Sequence, residues 1–387
     1  MKWLLFESFR LAQNHKMDVV IIAKMLRSQG EDVSIFDIYH DYSEDFVDDI
    51  PILHWSTDVK VPDISWMKEQ NTIFHSMMKG FQYNYQEYRY MKEVKNFIID
   101  KADCFYCGSF HNKMTTVLFE INKPCFWWGL RSDRFHFTLK KILKSPYTAF
   151  SLLFERQKFL ANPKQYLFVS NNFILNEHVE VGIPGNRMVI REERCIENMP
   201  TPQFELLNKK FTFLTIGQLR PDKRIDYTIK EFKKVSGTCQ YVLAGRAQDS
   251  YEDIISQSIN GSCNIIRVNC FLDYSDFNLF IKQSQFVVLA DRQQAGSVTN
   301  GTLIESFINF RPVIAPNYNP YKFYIEKYHI GILYDPSIPG DLARAMQCAK
   351  DKGCFYYEIN IREFLKTIEF DMLATRMFQD LRELNVV

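Results

Sequence analysis

The sequence predicts an α/β protein built from two Rossmann-like domains. Three observations carry this. Short apolar runs suited to buried strands recur along the chain. Segments with apolar residues at helical spacing separate them, the pattern of parallel sheets covered on both faces. The alternation stops at a polar stretch with Pro200 and Pro202 and then restarts, and 387 residues suffice for two cores.

The elements follow in order. Residues 3–6 are an apolar run fit for a strand. Residues 17–26 carry Val20, Ile21, Ala23 and Met25 at helical spacing, and Gly30 closes that helix. Residues 33–38 predict a second strand. Residues 41–80, rich in Asp, Trp, Met and His, fit the alternation poorly and read as an insertion. A helix over 83–99, a strand over 102–106, a helix over 113–121 and a strand over 124–128 follow. Strands over 165–169 and 187–190 end the first half. The second half predicts strands over 211–216, 240–244, 264–268, 285–290 and 312–315. Helices over 225–235, 274–283, 302–309 and 339–350 accompany them, and a long last helix covers 361–384. The organisation implied is a first domain over 1–195, a linker over 196–210 and a second domain over 211–358. A C-terminal helical segment, 359–387, is expected to pack back toward the first domain.

Composition narrows the function. A net charge of +1 argues against a nucleic-acid partner held by bulk charge. The nine cysteines are scattered, with Cys104 and Cys107 the one close pair and no second pair or His at metal-ligand spacing. They predict buried, reduced thiols in a cytosolic protein and no metal site. The N-terminal apolar run is too short for a signal peptide, and no stretch approaches the ~20 residues that span a bilayer.

Two segments carry chemistry. The strand over 211–216 runs into Gly217, which allows a turn, and then into Arg220 and Lys223 before a helix. A planar fork of donors and a point charge there would neutralise a departing diphosphate. A solvated cationic cap on a helix start explains the same residues. The second segment, 298–305, places Thr299, Asn300, Gly301 and Thr302 at the start of a helix, where free N–H groups bind phosphate. Glu305 follows in the first turn, in reach of a ribose diol. Thr302 and Glu305 also have the spacing of a capping box. Together the segments look like two halves of a nucleotide-diphosphate-sugar pocket. No Asp-x-Asp pair stands in a suitable loop, so the two cations take the part of a metal and no cofactor is expected.

Residues 211–350 resemble the donor domain of GT-B glycosyltransferases, in particular the retaining group known as family 4. Gly217, Arg220 and Lys223 match its glycine and its diphosphate-gripping cations. Glu305, seven residues before Pro312, matches its ribose-binding glutamate. Gly245 ends a strand beside the donor site. The position of the family's other glutamate, which contacts the transferred sugar, falls on Ser297; Asn300-Gly301-Thr302 is similar to a phosphate-loop variant. Arg224 replaces the usual glycine after the Lys. The resemblance implies a donor-binding second domain and an acceptor-binding first domain facing it across a cleft. It implies retention of anomeric configuration and a glycan or lipid-linked glycan acceptor in surface polysaccharide synthesis. In the first half, Trp128-Gly129-Leu130-Arg131 occupies the place of a Trp-Gly-His stretch, with Leu130 where the His would be. His15, Arg131 and Trp128 are the acceptor-side candidates.

From 131 to 160, basic residues outnumber acids and alternate with aromatics. Such a helix can lie on an anionic membrane surface, or it can be a buried helix with a solvated basic face. Two other functions share these features: a non-catalytic nucleotide-sugar-binding partner subunit, and a nucleotide-sugar epimerase.

Overall fold

A computed structural model describes the chain except residues 8–12, 40–46, 48, 60–72, 109–112, 130–145, 193, 203–209 and 294–300. The chain divides into two compact units, residues 1–193 with 373–387, and residues 194–372.

The first unit runs β1 (Lys2–Phe6), α1 (Gln13–Ser28), β2 (Asp32–Phe36), β3 (Ile52–Leu53), α2 (Ile73–Ile98) and β4 (Cys104–Cys107). A 3-10 helix (Lys113–Glu120), β5 (Cys125–Trp128), α3 (Pro146–Ala161), β6 (Gln165–Val169), α4 (Asn172–Glu180) and β7 (Met188–Ile190) complete it. Its seven strands pair in the order β3-β2-β1-β4-β5-β6-β7, every pair parallel. Every residue of β4 and β5 is buried, as a parallel sheet covered on both faces requires. In-register pairing stacks Leu4 with Phe105 and Phe6 with Cys107. These join Trp127, Leu167 and Val169 in one core face.

The second unit runs β8 (Phe211–Ile216), α5 (Ile225–Phe232), β9 (Cys239–Ala244), α6 (Glu252–Ile259), β10 (Ile265–Val268), α7 (Tyr274–Lys282) and β11 (Phe286–Val288). α8 (Gly301–Ile308), β12 (Val313–Pro316), α9 (Tyr321–Tyr328), β13 (Gly331–Tyr334), α10 (Asp341–Lys352) and α11 (Glu358–Lys366) follow. The last helix, α12 (Phe370–Glu383), crosses into the first unit's residues. The second sheet, also parallel, has the order β10-β9-β8-β11-β12-β13. Strand order reverses between β8 and β11, and such a switch point opens a crevice at the carboxyl ends of the strands.

The sequence-based elements need four adjustments. Ile52 and Leu53, inside the expected insertion, pair with Ile35 and Phe36 and so extend the first sheet. α2 starts at Ile73, ahead of the expected 83. The helix expected over 113–121 is 3-10. The long last helix is broken at residues 367–369, because the N–H of Phe370 and the carbonyl of Ile368 turn aside to bond Ile196 at 2.9 and 3.0 Å. α4, α6, α9 and β13 are additional to the elements read from the sequence.

Candidate functional site

The loop after β8 is shaped by two glycines in contact. Gly217 has φ +97 and Gly245 φ +123, conformations that L side chains rarely adopt. The N–H of Gly217 donates to Ala244 O at 3.0 Å, and that of Leu219 to Arg246 O at 2.9 Å. The backbones beyond β8 and β9 thus lie side by side. A Cβ on Gly245 would stand 2.0 Å from Gly217 O. Close approach of the two backbone segments therefore dictates Gly245, and the positive φ dictates Gly217; the result is a bare peptide surface at the strand ends.

Lys223 folds back over that surface. Its Nζ donates to Ile216 O at 3.1 Å, and a Cβ on Gly217 would lie 3.4 Å from it. The ammonium is partly withdrawn from water, which lowers its pKa from the ordinary lysine value; Asp291 opposes the shift and Arg220 adds to it. Arg220 sits with Nε and Nη2 on the two carboxylate oxygens of Asp222, at 3.1 and 3.0 Å. Two of its five N–H donors are thus held by a neighbour, and the remaining ones can meet a phosphate or Asp222 can be exchanged for it. The carbonyl of Asp222 accepts from the N–H of Arg292 at 2.8 Å, tying this loop to the chain beyond β11 across the switch point. Arg224, the replacement for the usual glycine, takes the left-handed conformation at φ 50 and stacks on Tyr227, its Cζ 4.1 Å from the ring centroid.

Glu305 projects from the first half of α8. The helix begins at Gly301, so Thr302 lies inside it and is not its cap. Among the described residues Glu305 is not bonded as a capping-box partner. Its carboxylate accepts from the Tyr274 hydroxyl at 3.2 Å and faces Arg194 Nε at 3.9 Å. The side chain is buried. Burial raises its pKa, with Arg194 and Tyr274 opposing. Ser297, Thr299 and Asn300 lie outside the described residues. Beside the glycine pair is a cleft of about 620 Å³ lined by Gly217, Gln218, Gly245, Arg246, Phe271 and Phe277. Phe271 is 83% exposed, an apolar ring left open to water at the cleft.

The acceptor-side candidates belong to the first unit. His15 lies in α1, and Arg131 lies outside the described residues. Trp128, at the end of β5, is buried, with the Arg191 guanidinium 5.1 Å from its ring centroid. Arg194, Tyr274 and Asp291 carried no signal in the sequence; they are brought to the candidate residues only by the fold. All nine cysteines are free, and Cys263 and Cys270 are exposed, contrary to the expectation of uniformly buried thiols. Among the described residues no cluster of His, Cys, Asp and Glu could hold a metal, and no helix is long and apolar enough to cross a membrane. Within the basic stretch, Lys158 pairs with Glu120 at 2.7 Å, as does Lys95, so part of that charge is met internally.

No family model matches the sequence, and no curated protein matches it. Solved structures are similar along the whole chain. The crystal structure of Anabaena HepE in complex with UDP aligns with a TM-score of 0.69 at 14% identity, covering 100% of both chains. Sucrose-phosphate synthase from Thermosynechococcus elongatus aligns with a TM-score of 0.69 at 12% identity, covering 100% of this chain and 99% of that one. The lipopolysaccharide outer core galactosyltransferase WaaB, in its apo form, aligns with a TM-score of 0.65 at 13% identity, covering 99% of each. The fold of this chain is the two-domain α/β fold of GT-B glycosyltransferases.

Proposed function

We propose that this protein is a glycosyltransferase that moves a sugar from a nucleotide-diphosphate donor to a hydroxyl of a glycan or glycolipid. The observation that carries this is the pairing of Gly217 with Gly245 beside Lys223. It leaves peptide surface, a tethered ammonium and an exchangeable guanidinium together at the switch point of the second sheet. A diphosphate fits that surface. Lys223 and Arg220 would neutralise the charge that develops on it as the glycosidic bond breaks. A partly desolvated ammonium interacts more strongly with an anion than one in water.

Glu305 would accept the ribose hydroxyls, and the segment 297–302 would hold phosphate oxygens and the sugar. In this reading no metal takes part, because the two cations supply the charge. Transfer would retain the anomeric configuration by a front-face route without a protein nucleophile, as the likeness to family 4 motifs suggests. The similarity to a structure containing UDP makes UDP the first nucleotide to test. His15, Arg131 and Trp128 are the proposed acceptor-side residues. A cytoplasmic enzyme of surface polysaccharide synthesis, touching an anionic membrane through 131–160, is the setting that suits such an acceptor.

The test is a thermal-shift panel with UDP, GDP, ADP, dTDP and CMP on the wild type and on an Arg220→Ala/Lys223→Ala variant. A ligand at a hundred times its Kd stabilises by about 2.7 kcal/mol. The expected result is a shift with one diphosphate, lost in the variant. No shift with any nucleotide overturns the proposal. A shift without sugar transfer or donor hydrolysis favours the partner-subunit function instead.

A further inference from the structure

A second cleft lies wholly within the second unit, between α7 and α8, with a volume of about 740 Å³. Such a volume suits a small molecule. Its α7 wall presents Tyr274, Asn278, Leu279 and Lys282, which fall on one helical face, and its other wall presents Ile308 at the end of α8 and Asn309 just beyond it. The chemistry of this lining is specific. Tyr274 is 67% exposed and offers an aromatic surface, and Leu279 and Ile308 offer apolar ones. Asn309 donates through Nδ2 to Asn278 Oδ1 at 2.8 Å, which fixes both amides in place. Among the described residues, the Lys282 ammonium, half-buried, makes no hydrogen bond or ion pair. Among the described residues no carboxylate lines the cleft. Amides and hydroxyls beside an aromatic ring match the mixed polar and apolar faces of a pyranose. The single cation among the described lining residues, Lys282, matches one negative charge.

Tyr274 belongs to both places. Its ring lines the cleft while its hydroxyl donates to Glu305 Oε2 at 3.2 Å. Asn309 bonds the carbonyl of the same Glu305 at 2.8 Å. A molecule that packs on the exposed ring restricts Tyr274 and so holds the Glu305 carboxylate in one orientation before the nucleotide arrives. The ordering of that side chain is then already done when the second ligand binds.

We propose that this cleft is a second binding site for a sugar carrying one anionic group, and that its occupancy tightens nucleotide binding through Tyr274 and Glu305. The coupling half rests on the donor-site function proposed above; the cleft itself does not. The experiment is calorimetric titration of the full chain with glucuronate, glucose 6-phosphate and glucose, with Lys282→Met and Tyr274→Phe as variants. At least one acidic sugar should bind about tenfold or more tighter than glucose, the worth of one charge-assisted hydrogen bond. Lys282→Met should remove that preference. Which acidic sugar prevails tells carboxylate from phosphate. With that sugar saturating, the Kd for UDP should fall about fivefold or more, and UDP should tighten the sugar by the same factor. Tyr274→Phe should keep sugar binding and abolish the coupling. Absence of acidic-sugar binding, or equal binding by Lys282→Met, overturns the site. An unchanged UDP affinity overturns the coupling. A chain that binds the acidic sugar but not UDP overturns the donor function and the coupling with it, while the site stands.

Discussion

Gly245→Ala tests the geometry on which the donor site depends. The alanine must hold φ near +123, a conformation almost exclusive to glycine, at a cost of about 1–3 kcal/mol. Its methyl would also begin 2.0 Å from Gly217 O, a backbone atom that cannot rotate away. Relief requires the strand ends to part, which weakens the bonds from Gly217 to Ala244 and from Leu219 to Arg246. Each is worth about 1 kcal/mol net. The sum is about 3–5 kcal/mol. For a unit of this size it lowers the melting temperature by roughly 6–20 °C. Thermal unfolding followed by circular dichroism reads it. The control is Gly340→Ala, where φ is +85 and nothing lies within 4 Å of the added methyl; the expected cost there is about 1–2 kcal/mol. Gly245→Ala should also lose UDP binding, since it displaces the peptide surface that would hold the diphosphate. A Gly245→Ala protein no less stable than the Gly340→Ala control refutes the close approach and the site built on it.

Other predictions follow from the charges. Replacing Lys223 by Ala should reduce transfer by at least about a hundredfold, as for loss of one preorganised donor to developing charge, with the fold intact by circular dichroism. Wild-type turnover in that variant sinks the leaving-group role. Lys223 has a lowered pKa in the folded chain, so it sheds its proton below the ordinary 10.5. UDP affinity should therefore fall as pH rises through that lowered value. Stability should meanwhile rise with pH from there to 10.5, because the unfolded chain holds the proton longer. Lys223→Met should flatten both trends in a pH series. Glu305 has the opposite character: its folded pKa is raised above 4.5, so its contribution to stability falls as pH climbs from 4.5 through the raised value. Glu305→Gln should melt higher than wild type at neutral pH, with the difference vanishing below pH 4.5; equal melting at both pH values would count against a strained carboxylate. Asn171 accepts from the N–H of Ile174 at 3.0 Å as the cap of α4, so Asn171→Ala should cost about 1 kcal/mol in urea unfolding.

Much of this was legible in the sequence because it is local. Residues 211–216 form a strand because a short apolar run can bury both faces, and β8 lies where that run predicted. Gly217, Arg220 and Lys223 stood out because one chain segment carries them together. β13 escaped notice: its Gly331 would, with a side chain, meet Val313 O at 2.4 Å, so this strand exists by packing against β12. Residues 361–384 have continuous helical periodicity, yet the helix breaks where Phe370 bonds Ile196, a partner far along the chain.

The sequence by itself determined the class of fold, two parallel sheets with covering helices, and the pair of cations at a strand end. Alternation and periodicity are properties of neighbouring residues, so no tertiary knowledge is needed to see them. Tertiary structure alone decided that Gly245 must be glycine, since the obstacle is the carbonyl of Gly217 on the adjoining strand end. It also decided that Arg220 lies on Asp222, and that Glu305 answers to Tyr274 and Arg194 and not to a helix cap. Tyr274 and Glu305 are 31 residues apart in the chain. Their meeting depends on the order of strands in the sheet, which places α7 beside α8, and sequence periodicity carries no record of that order.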